Sequence, residues 1–137
     1  MSNNDNFVNK LRSSGLRPTR QRIQLCKVLF DRDKTFHFTV ENLAKMLKKN
    51  FDKKVSLATV YNTVHVLKNK GYLKEISINN KKTYFDTNIS HHHHFFDENN
   101  NELIDLNDED INSVQIKKTL PGRKIKSIEV LVKVEKK

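Results

Sequence analysis

Imidazoles and carboxylates are the donors that borderline first-row metals accept, and this chain gathers them in one short stretch. His91, His92, His93 and His94 are consecutive, and Asp97 and Glu98 follow closely. Nothing in folding alone asks for four imidazoles in a row, and the same side chain also holds haem iron. In an extended strand His91 and His93 would point to one face and His92 and His94 to the other, so one tract could serve two sites. A solvated polar loop is the plainer alternative. The single cysteine, Cys26, excludes an internal disulfide and every Cys-x-x-Cys zinc site. It recurs with Ile23, Leu29 and Phe30 at helical spacing and reads as a small buried apolar residue.

Charge says which partner the remainder of the chain seeks. Residues 1–85 hold 18 Lys and Arg against 6 Asp and Glu, a balance of +12, whereas residues 86–137 hold 8 against 10, a balance of −2. A basic half of this size attracts a polyanion, most often nucleic acid, and the histidine-rich acidic stretch attracts cations. A length of 137 residues with 36% hydrophobic and 31% charged residues is enough for a buried core. Only residues 1–6 look loose. No apolar stretch is long enough for a membrane span and the N-terminus lacks the pattern of a signal peptide, so the expected location is the cytoplasm, without membrane contact.

The elements that must carry these residues begin with helices. Phe7, Val8 and Leu11 open a short one that Gly15 can end, and another starts near Thr19, after the extended backbone that Pro18 imposes on Arg17. Thr39 is a good N-cap for a helix with Val40, Leu43, Ala44 and Leu47 at i, i+3, i+4 and i+7, and Ser56 caps the next. That helix, residues 57–69, has Val60, Val64 and Leu67 as its buried stripe and Gly71 to end it in a left-handed conformation. Its opposite face shows Ala58, Thr59, Asn62 and His65, with Tyr61 at the border. Small, polar and aromatic groups on one face can reach base edges and thymine methyl groups in a major groove.

Residues 73–78 and 82–85 alternate or run as β-formers around Asn79, Asn80 and Lys81, which predicts a hairpin. A helix-turn-helix followed by a hairpin is a winged helix. Lys81 and Lys82 would sit at the wing tip within reach of phosphates, though an ordinary basic hairpin has the same pattern.

Together, Gly-Leu-Arg-Pro-Thr-Arg-Gln-Arg at 15–22, His-Phe-Thr-Val-Glu at 37–41, Val-Ser-Leu-Ala-Thr-Val-Tyr-Asn-Thr at 55–63, Lys-Thr-Tyr-Phe-Asp-Thr-Asn at 82–88 and the histidine tract resemble the ferric uptake regulator family from about residue 10 onward. Within it the chain looks most like the iron response regulator branch, the haem-responsive members of alphaproteobacteria, where a Leu-Ile-Asp segment follows the histidines, here Leu103, Ile104 and Asp105. The resemblance implies an α+β protein: a winged-helix DNA-binding domain, residues 1–88, followed by an α/β dimerisation and sensing domain, residues 89–137. It implies a homodimer on a double-stranded, A/T-rich palindromic operator.

Arg17 and Tyr61 fall where the family contacts DNA. Arg20, from the same basic run, and Ser56, Ala58, Thr59 and Asn62 on the reading helix join them, with Asn62 in place of the usual arginine. His37, Asp86, His94 and Asp105 fall where the family builds a metal site linking its two domains, with aspartate for glutamate at two of the four places. That set suits Fe(II), Mn(II) or Zn(II). His91, His92 and His93 remain for haem or a second metal.

Departures from the family narrow this. Asp97 and Asn100 replace the first cysteine pair of a structural zinc site, Asn112 and Ile128 replace two donors of a second metal site, and the branch's Cys-Pro haem motif is missing. Haem binding would rest on the histidines alone. The last third is expected to form a strand at 102–106, a helix at 108–118 with acids first and lysines last, a Pro121-Gly122 turn and a strand led by Ile125, Ile128, Val130, Val132 and Val134. The resulting expectation is a dimeric iron- or haem-responsive regulator. A zinc, manganese or peroxide sensor of the same family is the alternative. A metal-dependent hydrolase or oxygenase is the alternative of another class, but no nucleophile with its base and no phosphate loop supports it.

Overall fold

The computed structural model describes residues 3–52 and 54–137 and forms two compact units, Met1–Ile89 and Ser90–Lys137. In the first unit, helices α1 (Asn3–Ser13), α2 (Arg20–Phe30), α3 (Val40–Phe51) and α4 (Leu57–Lys70) accompany strands β1 (His37–Phe38), β2 (Lys74–Asn79) and β3 (Lys82–Asp86). Helix α1 therefore begins within the stretch expected to be loose. None of these helices is long and apolar enough to cross a membrane.

Local chemistry places the helix ends. Thr19 and Ser56 cap α2 and α4 by accepting from Arg22 N–H at 3.3 Å and Thr59 N–H at 3.2 Å. At α3 the cap is reciprocal: Thr39 Oγ1 accepts from Asn42 N–H at 3.1 Å, and Asn42 Oδ1 accepts from Thr39 N–H at 3.3 Å. Thr39→Ala removes half of that box beside His37 and is expected to cost about 1 kcal/mol of stability, read as a lower urea midpoint with an unchanged slope. Gly71 ends α4 at φ 96°, where a Cβ would be strained.

The core follows the apolar stripes. Leu25 and Leu29 of α2, Leu43 and Leu47 of α3, and Val60, Val64 and Leu67 of α4 enclose Phe38 and Phe85, whose rings stack 5.8 Å apart. Phe7, Leu11, Leu16 and Cys26 form a smaller cluster that seats α1. Lys10 secures the same helix, its Nζ lying 4.2 Å from the Phe30 ring and 4.3 Å from the Tyr72 ring. Burial pushes the Cys26 thiol up to about 12, so the side chain packs as an inert apolar group.

The hairpin forms as expected, but its sheet has a third member. Strand β1 pairs antiparallel with β3, giving the order β1-β3-β2, with His37 opposite Asp86. Two residues are too short a run to show a strand by periodicity, and the pairing arises because Phe38 must reach the core.

The second unit holds β4 (His93–Asp97), β5 (Glu102–Leu106) and β6 (Leu131–Val134) in the order β5-β4-β6, with β4 antiparallel to β5 and parallel to β6. Two expectations fail here. The helix at 108–118 is replaced by one 3-10 turn, Asp108–Asp110, and irregular backbone: Asn112 and Ser113 are weak helix formers, and Val114 and Ile116 stay 40% and 51% exposed. A short helix without a packed face is marginal. The last strand starts only at Leu131. Before it, histidine rings take the backbone groups that a strand would use: Val130 N–H donates to His93 Nδ1 at 3.0 Å, and Ile128 O accepts from His91 Nε2 at 2.9 Å.

Candidate metal donors and nucleic-acid interface

Each unit brings imidazoles against carboxylates. In the first, the β1–β3 pairing sets His37 Nε2 3.2 Å from Asp86 Oδ2. Asp86 is only 1% exposed, and its Oδ1 accepts from Asn88 N–H at 2.8 Å. A carboxylate this buried is kept ionised only by a cationic or donating neighbour, and it stands on the central strand, where its position is rigid.

In the second unit, the alternation expected of the tract divides it in two. His94 pairs across the sheet with Asp105, whose Oδ1 lies 3.6 Å from His94 Nε2 and 3.3 Å from His92 Nε2. On the other face His91 Nδ1 and His93 Nε2 lie 3.9 and 3.6 Å from Asp108 Oδ1. His92 therefore belongs with His94 and Asp105, not with His91 and His93, which corrects the grouping expected for it. The period-2 alternation already carried that signal. Asp108 had no signal, because only the loss of the expected helix aims it at the rings.

Hydrogen bonding to the backbone then orients the rings. Ser90 O can only accept, so His92 Nδ1 at 2.7 Å donates to it, and a neutral His92 presents a lone pair at Nε2. His92 Nε2 then faces Asp105 Oδ1 at 3.3 Å, and a cation or a proton between them favours the pair. For His93 the opposite holds: its Nδ1 accepts from Val130 N–H, so a neutral ring carries its proton on Nε2. His91 uses Nε2 on Ile128 O. His92, His93 and His94 are all about 5% exposed, and only His91 is open to solvent. A cavity of about 490 Å³ adjoins His91, His93 and Asp108, walled by Ile111, Val114, Ile125 and Ile128.

The places of the missing zinc cysteines are filled by hydrogen bonds. Asp97 accepts from Asn99 N–H, Asn100 N–H and Asn100 Nδ2 at 3.0 to 3.1 Å, and Asn99 Oδ1 accepts from Lys136 N–H at 2.6 Å.

The nucleic-acid face lies on α4. Val60, Thr63, Val64 and Leu67 are buried, while Ala58, Asn62 and Tyr61 are exposed, Tyr61 to 57%. Ser56 and Thr59 are tied together at the N-terminal cap. Thr59 and Lys82 are half-buried, and Arg17, Arg20 and Lys81 are exposed. Lys81 N–H donates to Asn79 Oδ1 at 2.8 Å, fixing the hairpin tip.

Known proteins share this fold. The sequence model of the ferric uptake regulator family matches residues 13–133. The peroxide-responsive repressor PerR of Staphylococcus aureus is 28% identical over 108 residues, 79% of this chain and 71% of that protein. Among solved structures, the ferric uptake regulator of Pseudomonas aeruginosa with manganese superposes at TM-score 0.68 and 20% identity, covering 96% of this chain and 98% of that one. The peroxide stress regulator of Campylobacter jejuni gives 0.60 and 21%, covering 99% and 97%. The family's members are dimeric, DNA-binding, metal-responsive transcription regulators and not enzymes. On the family match over nearly its whole length, with the same fold in solved relatives, this chain belongs to the ferric uptake regulator family.

Proposed function

We propose that this regulator reads A/T-rich palindromic DNA when Fe(II) or Mn(II) is held at its imidazole and carboxylate donors, His92, His94 and Asp105 in the second unit and His37 and Asp86 in the first. The observation that carries this is the convergence of His92 Nε2 and His94 Nε2 on Asp105 Oδ1, at 3.3 and 3.6 Å, which puts two imidazole nitrogens and a carboxylate oxygen within reach of one ion. Nitrogen and oxygen donors without thiolate suit Fe(II), Mn(II) or Zn(II) and disfavour softer ions. When bound, the metal supplies a fixed charge that holds its ligands in one geometry. The protein's own contribution is Ser90 O, which turns the His92 lone pair outward, and Asn88 N–H, which orients Asp86. Residues 1–88 would read DNA, and residues 89–137 would pair protomers and sense the metal.

The relatives support a peroxide-responsive form of this reading, since the Staphylococcus aureus and Campylobacter jejuni proteins are both peroxide regulators. Haem has less support than the sequence suggested. Within the tract His92, His93 and His94 are buried, His92 is turned onto Asp105, and His91 is the exposed ring. The reading helix would use Ser56, Ala58, Thr59, Tyr61 and Asn62 on bases, with Arg17, Arg20, Lys81 and Lys82 on phosphates.

The test is fluorescence anisotropy on a palindromic duplex at fixed salt, comparing metal-free, Mn(II)-loaded and anaerobically Fe(II)-loaded protein. Both metals should give tight binding, with peroxide releasing only the Fe(II) form and haemin releasing neither. Equal binding by metal-free protein would end the metal-dependent reading, and release at one haemin per protomer would restore the haem reading.

A further inference from the structure

Tyr61 and His65 stand four residues apart on α4, one turn along the same face. Their rings stack, with centroids 5.8 Å apart and planes within 7° of parallel. Tyr61 is 57% exposed, and His65 is half-buried beside it. An exposed tyrosine otherwise samples several side-chain rotamers, each of which puts the ring in a different place. The stack removes that freedom on one side. Behind the pair, Thr63 Oγ1 donates to Thr59 O at 2.8 Å and Val60 and Val64 are fully buried, so the helix beneath the rings is anchored.

We infer that His65 is a positioning residue for sequence readout: its imidazole holds the Tyr61 ring upright so that the ring face meets a thymine methyl group in the major groove. This rests on the reading of α4 as the DNA-reading helix. Exposed Ala58 and Asn62 leave room around the ring for a base edge. A tyrosine fixed before binding gives up little conformational entropy on docking, which strengthens its contact and sharpens discrimination between bases. The contact is apolar, so it distinguishes thymine from uracil, which lacks only that methyl group.

The experiment uses the full-length, Mn(II)-loaded protein and a duplex selected by it from a random pool. Affinities are measured for that duplex, for the same duplex with uracil in place of thymine, and for a scrambled one. The wild type is expected to lose about five- to tenfold on the uracil duplex. His65→Ala should lose about as much on the thymine duplex, become indifferent to uracil substitution, and keep its affinity for scrambled DNA and its melting temperature. His65→Phe should restore the thymine preference, because it can stack but cannot carry charge. Full thymine preference in His65→Ala, or rescue by His65→Lys and not by His65→Phe, would overturn the inference. Selection that returns no preferred sequence for the wild type would instead remove the DNA-reading assignment on which it rests.

Discussion

Asp105→Ala is expected to lower metal-dependent affinity for operator DNA by about 100-fold or more, with metal lost from the purified protein in parallel. Even an outer hydrogen-bond partner of a metal ligand is worth up to about 100-fold in affinity, and this carboxylate faces two imidazoles at once, at 3.3 and 3.6 Å. Its removal leaves His92 Nε2 and His94 Nε2 without the negative charge that makes a divalent cation favourable there. Folding should survive, because Asp105 is 41% exposed and its strand is held by Leu103 and Leu106, both buried. Glu109→Ala, a nearby exposed acid, is the control and should change neither quantity. Metal analysis with anisotropy on one preparation decides the matter. If Asp105→Ala keeps one metal per protomer and wild-type affinity, Asp105 is not a ligand.

Phe38→Ala should be the most destabilising single change. The side chain is 1% exposed, its ring contacts Phe36 at 5.4 Å and Phe85 at 5.8 Å, and it sits within the main cluster. Truncating such a phenylalanine costs about 3–5 kcal/mol, through lost burial and the cavity left behind. Natural domains have only about 5–15 kcal/mol in total. Phe38 is also the residue beside His37 in β1, and its ring anchors that two-residue strand to β3. The metal binding proposed for His37 and Asp86 should therefore weaken together with stability. Urea unfolding followed by circular dichroism should show a much lower midpoint. Phe38→Leu, which fills most of the volume, should recover the larger part. A midpoint within about 1 kcal/mol of wild type for the alanine variant would contradict the assigned core.

Most of the first unit was legible in the residues. Thr39 and Ser56 are N-caps as expected, the helix expected near Thr19 starts at Arg20, Gly71 ends α4, and Val60, Val64 and Leu67 are its buried stripe. These are local effects, decided within a turn or two of helix by side-chain hydrogen bonds and a period of 3.6. The hairpin was legible for the same reason, since Asn79, Asn80 and Lys81 interrupt two β-forming runs. The C-terminal region was not. A helix was expected where Asp108–Asp110 makes one 3-10 turn, and a long strand where only Leu131–Val134 pairs.

By itself, the sequence determined the donors and their types: six histidines, one cysteine and an acidic stretch after a basic half, which leave at most one thiolate and make nitrogen and oxygen the main ligands of any metal site. It also determined the alternation of the tract, because successive side chains of an extended chain point to opposite faces. Tertiary structure decided which donor meets which. Asp86 faces His37 only because β1 pairs with β3, a contact across more than forty residues that no periodicity encodes. His92 joins His94 because the β4–β5 register puts Asp105 opposite His94, and His93 is drawn off because Val130 N–H reaches its Nδ1 first. Ring tautomers follow from those backbone partners, and backbone partners are a property of the fold.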